Sequence, residues 1–96
     1  MSMFALPKEM IKTYLDRRVT DVTTLKESLV KNSVEEFNRI GHQLLGNAKS
    51  YGFPDLESIA AQMEDLSSTD LQLRGPQLVE QFSQWLQSAL QKNSLQ

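Results

Sequence analysis

The chain has 96 residues, enough for one small domain with a single buried core. Its 10 Lys and Arg residues against 12 Asp and Glu residues give a net charge of −2, which disfavours nucleic acid and anionic membranes as partners. The absence of cysteine excludes disulfides and thiolate chemistry, and the single histidine disfavours histidine-rich metal sites and Ser-His-Asp hydrolysis. The sequence shows no secretory pattern and no membrane-spanning apolar stretch, so we expect a cytoplasmic protein.

The first predicted helix runs from about Pro7 to Lys31. A β-branched run over residues 19–24 lowers the helix propensity, which leaves open a break between a short first helix and a longer second one. The apolar residues among positions 3–6 would then cap the end of the core. The positions that recur at intervals of three and four, the spacing of one helix face, are Ile11, Leu15, Val22, Leu25 and Leu29.

The second predicted helix has the clearest start signal. Ser33, with Glu36 three residues later, has the spacing of a capping box, in which each side chain satisfies a free backbone N–H. The helix is predicted to end near Tyr51–Gly52, since glycine commonly terminates helices. Its inward-facing positions, called the seam below, are Val34, Phe37, Gly41, Leu44, Ala48 and Tyr51.

Two further helices are predicted in the second half of the chain. Apolar positions at helical spacing follow Pro54 over residues 56–66, and the cap-forming residues 67–70 end this third helix. The fourth helix begins near Thr69 or at Pro76, because proline suits the first position of a helix. Both helices are amphipathic and therefore have a face to bury.

Four helices with short connections predict an all-α fold, an antiparallel up-down four-helix bundle with a short N-terminal helix or helix extension. We expect residues 1–96 to form a single domain in which residues 91–96 are a frayed tail. Phe82 and Trp85 are expected to anchor the core, although an exposed aromatic partner site is the alternative for them.

The single histidine falls on the outer side of the second helix. At about 100° per residue, His42 lies roughly 140° from the middle of the seam and should face water. One turn later Gly46 also faces outward, where a mid-helix glycine costs roughly 0.8–1 kcal/mol relative to alanine. A bare patch beside an exposed imidazole would let another molecule approach it. The same outer face carries Glu35, Asn38, Arg39 and Lys49, with Leu45 at its edge.

Residues 42–53, HQLLGNAKSYGF, resemble the phosphorylation motif of histidine-containing phosphotransfer (Hpt) domains. That motif has a histidine, glycine at +4, a small residue at +6, and glycine and an apolar residue at +10 and +11. Leu56 and the pair Met63-Glu64 match the family's following helix, and Phe37 and Ile40 fit the positions before the histidine. The resemblance extends over essentially the whole chain.

The resemblance implies a phosphoryl shuttle that is not itself an enzyme. His42 would form a phosphohistidine and pass the group between aspartates of receiver domains, with a hybrid histidine kinase upstream. No cofactor or metal is expected on this chain, and Mg²⁺ would be bound by the partner receiver. We expect a monomer, and a free-standing protein is favoured over an excised piece of a hybrid kinase.

One position departs from the family pattern, because its usual lysine at +3 is Leu45 here. That lysine is understood to offset the charge of the phosphoryl group. Lys49, at +7 on the same face, or Arg39, one turn before the histidine, would then supply the charge. Otherwise the phosphorylated state would be shorter-lived or would depend on the partner. On the neighbouring helix, Glu64 would orient His42 by a hydrogen bond or be an unrelated surface glutamate. The expected receiver-docking face comprises Asn38, Gln43, Leu45, Gly46 and Lys49.

The main alternative is an interaction protein that transfers nothing. Such a bundle would bind and block a receiver or histidine kinase, or pair with a second copy through the seam. A metal-dependent or hydrolytic enzyme is disfavoured because the chain has one histidine and no cysteine.

Overall fold

A computed structural model describes residues 6–94, of which residue 94 is described by its backbone alone. Its helices are α1 (Lys8–Lys31), α2 (Glu35–Asn47), α3 (Leu56–Glu64) and α4 (Leu71–Ser94). The described residues contain no strand, and the predicted all-α bundle is confirmed. α1 is continuous, so the break considered over residues 19–24 does not occur. Leu6 is half-buried, and the other predicted N-terminal cap residues lie outside the described part of the chain.

Contacts between helix ends show that neighbouring helices run antiparallel. The Tyr14 hydroxyl, near the start of α1, donates to Asn47 Oδ1 at the end of α2, over 2.7 Å. At the other end of the bundle, the Gln72 side chain donates to Leu29 O and Asn32 Oδ1, joining the start of α4 to the end of α1. The two 24-residue helices, α1 and α4, pack against each other, and the shorter α2 and α3 pack against each other beside them.

The core lies between the apolar faces of all four helices. Four of the six predicted seam residues are buried, namely Phe37, Gly41, Leu44 and Ala48, while Val34 and Tyr51 are half-buried. Ile40, which the predicted seam did not include, is also fully buried, and burial of Phe82 confirms one of the two predicted anchors. Trp85 is only half-buried, and its indole N–H donates to Asp55 Oδ2 over 3.0 Å. The indole thus packs its ring on the core and keeps its polar edge at the surface.

The predicted capping box at the start of α2 is wrong. The backbone N–H of Ser33 donates to Ser28 O over 2.9 Å, because Asn32 adopts a left-handed conformation that ends α1. Glu36 pairs with Arg39 instead of reaching back to Ser33. α2 begins at Glu35 with no side-chain cap.

The predicted terminus of α2, near Tyr51–Gly52, agrees with the structure. The helix proper ends at Asn47, but the chain makes one more turn, and Gly52 has a positive φ of 87°. The Phe53 N–H donates to Ala48 O and the Gly52 N–H donates to Lys49 O, the paired bonds of a Schellman motif. Residues 48–51 therefore continue the direction of α2 as far as the predicted Tyr51–Gly52 terminus.

The remaining helix ends show where local signals are overridden. α3 stops at Glu64, before the predicted Leu66. α4 begins at Leu71, so Pro76 lies inside the helix and not at its first position. The preceding Gly75 is buried, with Leu29 Cδ2 only 2.7 Å from where a Cβ would stand. Residues 91–94, predicted as a frayed tail, continue α4.

A partly buried charged pair on α1 was not anticipated. Arg18 lies over the Tyr14 ring and its Nε is 2.8 Å from Asp21 Oδ2, although the N–H does not point at that oxygen. Burial raises the pKa of the Asp21 carboxyl above its ordinary value, and the opposing attraction of Arg18 is smaller. Within the described residues no helix is long and apolar enough to cross a membrane.

Candidate functional site

His42 lies on the outer side of α2, with 77% of its side chain exposed. Its Nδ1 is 2.6 Å from Oε2 of Glu64, the last residue of α3. An ionised carboxylate only accepts hydrogen bonds, so this contact favours the tautomer in which the N–H of Nδ1 donates a hydrogen bond to Glu64. The other ring nitrogen, Nε2, keeps its lone pair and has no protein partner within residues 6–94.

A close approach of α2 and α3 brings these two side chains together. At Gly41, directly before His42, an added Cβ would lie 2.5 Å from Glu64 N and 2.7 Å from Ala60 O. Both are backbone atoms, which no side-chain rotation can move away. The predicted role of Gly41, a small residue where two helices meet, is confirmed.

Asn38 is half-buried on the same side of α2, one turn before His42. Its Nδ2 donates to the carbonyls of Met63, Glu64 and Leu66 over 3.1, 2.9 and 3.0 Å. The amide nitrogen is therefore engaged at the end of α3, and the docking role of Asn38 stays a prediction.

Gly46 leaves open space beside the imidazole. Apart from the adjoining residues and the backbone of the helix itself, no atom lies within 4 Å of the position that a Cβ would occupy, and the residue is exposed on the helix. The bare patch predicted one turn after His42 is confirmed as a surface feature. A methyl group here would therefore meet no packed neighbour.

Arg39 does not reach toward His42. Its Nε donates to Glu36 Oε1 over 2.7 Å, and Nη2 contacts the same oxygen. Glu36 lies one turn before Arg39, while His42 lies one turn after it. The predicted contribution of Arg39 to the charge around His42 is therefore not visible in the structure.

A sequence model of the Hpt domain matches residues 9–92, which is most of the chain. The chain belongs to the Hpt domain family. Hpt domains are histidine phosphotransfer modules that carry a phosphoryl group, are not catalysts, and interact with receiver domains and kinases in phosphorelays. No curated protein and no solved structure matches the chain significantly.

In this Hpt domain the position three residues after the histidine is apolar and partly inaccessible. Leu45 is half-buried and packs against the core, so its side chain supplies no charge to the site. Lys49 is exposed in the extra turn that follows α2, and its ammonium forms no ion pair within the described residues. Gln43, next to the histidine, is exposed.

The Hpt domain shows no grouping of side chains suited to a resident metal ion. Among residues 6–94, no three His, Asp or Glu side chains converge in the way that metal ligands do. The residue whose role sequence reasoning missed is Asn38, because its outward helical position gave no sign that the end of α3 lies against it.

Proposed function

We propose that Nε2 of His42 accepts a phosphoryl group from a phospho-aspartate of a receiver domain and passes it on to another receiver. The observation that carries this proposal is the geometry of the exposed imidazole. Glu64 holds the proton on Nδ1 at 2.6 Å, which leaves the Nε2 lone pair free toward solvent. The family match supports phosphotransfer, and His42 is the one histidine in the sequence.

The transfer step requires the His42 imidazole, the Glu64 carboxylate and the phospho-aspartate of the receiver. The Nε2 lone pair attacks phosphorus, an N–P bond forms, and the P–O bond to the aspartate breaks as the carboxylate leaves with its electron pair. The imidazole becomes positively charged, and the Glu64 carboxylate at Nδ1 stabilises that charge. In the reverse step a neutral imidazole leaves, since Nδ1 keeps its proton throughout.

The receiver supplies what this chain lacks. Phosphoryl transfer depends on in-line positioning and on neutralising charge by Mg²⁺ and lysine, which we place on the receiver. Gly46 leaves room for the receiver backbone, with Gln43 and Leu45 beside it. A hybrid histidine kinase is the upstream source in this scheme.

The decisive experiment mixes the protein with a receiver carrying radiolabelled phosphate on its aspartate, in the presence of Mg²⁺. We expect an acid-labile, alkali-stable label, the behaviour of a phosphohistidine, on the peptide that contains His42. If the protein binds the receiver but acquires no label, it is a non-transferring adaptor and the proposal fails.

Gly46 offers a test of the docking face. We expect Gly46→Leu to lower the transfer rate at least about tenfold, because the side chain would project into the space where the receiver approaches. Gly46→Ala, at the same position, should raise the free energy of unfolding by about 0.8–1 kcal/mol through helix propensity. Receiver assays and urea unfolding measure the two effects. Unchanged transfer in Gly46→Leu would place the docking face elsewhere.

The charge near the phosphoryl group can be tested at two positions. We expect Lys49→Ala to shorten the lifetime of the phosphohistidine and Leu45→Lys to lengthen it, each by about two- to fivefold, the effect of one solvated charge pair. The lifetime is measured by following loss of label after the receiver is removed. If Lys49→Ala leaves it unchanged, Lys49 is a solvated surface charge only.

A further inference from the structure

We propose that Asn38 is a positioning residue for phosphotransfer, which acts through Glu64 to set the tautomer of His42. This inference rests on the proposed function of His42, but its primary measurement is made on the unphosphorylated protein. The unit it defines comprises His42, Glu64 and Asn38, on two neighbouring helices. The sequence placed Asn38 in the receiver-docking face, whereas its contacts point inward.

The end of α3 receives hydrogen bonds from a side chain of α2. α3 has nine residues, a length at which an isolated helix is marginal in water. The last carbonyls of any helix lack intrahelical partners, and here Asp65 follows in a right-handed conformation without the glycine that usually completes the end. The Met63 carbonyl accepts backbone N–H bonds from Asp65 and Leu66, and the Asn38 amide donates to it and to the carbonyls of Glu64 and Leu66.

The same contact fixes the backbone that carries the carboxylate. Asn38 Nδ2 binds the carbonyl of Glu64 at 2.9 Å, and Gly41 admits the Glu64 N–H side of the backbone against α2. Residues of α2, the helix that bears His42, thus contact the backbone of Glu64 on both its N–H side and its carbonyl side. A displacement of about 1 Å would take the 2.6 Å Nδ1–Oε2 contact beyond hydrogen-bond range.

Asparagine suits this position because all three neighbours are acceptors. Its amide nitrogen presents two N–H donors, whereas an aspartate of nearly the same shape presents only acceptor oxygens. Asn38→Asp therefore replaces attraction with repulsion at the end of α3 without removing volume. Asn38→Ala removes the donor without adding charge.

The experiment measures the ratio of the Nδ1–H to the Nε2–H tautomer of His42 from its ¹⁵N chemical shifts. We expect Glu64→Ala to lower this ratio about tenfold, which corresponds to the smallest free energy usual for a charge-assisted hydrogen bond. Asn38→Asp and Asn38→Ala should each lower it about three- to tenfold. Asn93→Asp is the matched control, since the Asn93 amide bonds to Ala89 O within α4 and should leave the ratio unchanged.

Transfer rates provide the second readout. From a phosphorylated receiver, Asn38→Asp should slow labelling about as much as it lowers the tautomer ratio, and the double variant with Glu64→Ala should be no slower than Glu64→Ala alone. Circular dichroism establishes that each variant is folded at the temperature used. If one Asn38 variant does not fold, the other provides the measurement.

The outcomes separate this inference from the proposed function. A wild-type tautomer ratio in both Asn38 variants, with a changed ratio in Glu64→Ala, would reduce Asn38 to a structural cap and overturn the inference. An unchanged ratio in Glu64→Ala would also overturn it, since Glu64 would not set the tautomer. Changed ratios in a protein that never acquires label would refute the proposed function and leave the positioning role standing.

Discussion

His42→Gln is expected to abolish labelling by a phosphorylated receiver. The glutamine amide nitrogen has no available lone pair, and the chain contains no second histidine to replace the first. The side chain at this position is 77% exposed and makes one hydrogen bond, to Glu64, so the free energy of unfolding should fall by no more than about 1.5 kcal/mol. Phosphotransfer with labelled receiver and urea unfolding measure the two quantities.

The control for His42→Gln is a measurement of receiver binding, which shows whether the docking face is intact. Because Gly46 and Gln43 are unchanged in this variant, the complex should form with an affinity close to that of the wild type. A variant that still acquires acid-labile label would show that the acceptor lies outside His42. Loss of binding together with label would show that the imidazole contributes to docking as well as to chemistry.

Gly41→Ala is expected to have the largest effect on stability. The new Cβ would lie 2.5 Å from Glu64 N, 2.7 Å from Ala60 O and 2.8 Å from Met63 Cβ. Overpacking that pushes α2 away from α3 should lower the free energy of unfolding by about 3 kcal/mol, the upper end of the usual range for such substitutions. The higher helix propensity of alanine should raise it by about 1 kcal/mol. The net loss of about 2 kcal/mol should lower the melting temperature by roughly 8–16 °C.

The control for Gly41→Ala is the same substitution on the same helix. Gly46→Ala should stabilise the protein, since its Cβ would meet no atom within 4 Å. Opposite signs at two glycines five positions apart would show that the α2–α3 contact, and not helix propensity, decides the result. Thermal unfolding of both variants provides the measurement, and a stabilising Gly41→Ala would contradict the close approach.

Local periodicity predicted the helices because it depends on backbone geometry alone. Apolar residues at intervals of three and four indicated which face of each helix is buried, and the exposure of His42 and Gly46 followed from the angle between neighbouring residues. The turn that ends at Gly52 was also predictable, because it requires a positive φ at one position and glycine readily adopts that conformation.

Predictions failed where a local signal competed with a neighbouring element. Ser33 has the spacing of a capping box, but the end of α1 takes its N–H. Pro76 suits the start of a helix, but α4 begins at Leu71, close to Thr69, the other predicted start. Arg39, one of the two alternatives for a charge beside the imidazole, pairs with Glu36 on its own helix. In each case the local sequence allows two structures, and contacts with other residues of the folded chain decide which one forms.

The sequence by itself determined that the chain is helical, that its single histidine faces outward, and that a bare glycine lies one turn away. Only the tertiary structure decided what the imidazole touches. The His42–Glu64 bond and the Asn38 contacts join residues 22 to 28 positions apart, and they exist because α3 packs within backbone contact of Gly41. Helical periodicity fixes the direction of a side chain on its own helix, while the partner it meets depends on how two helices pack.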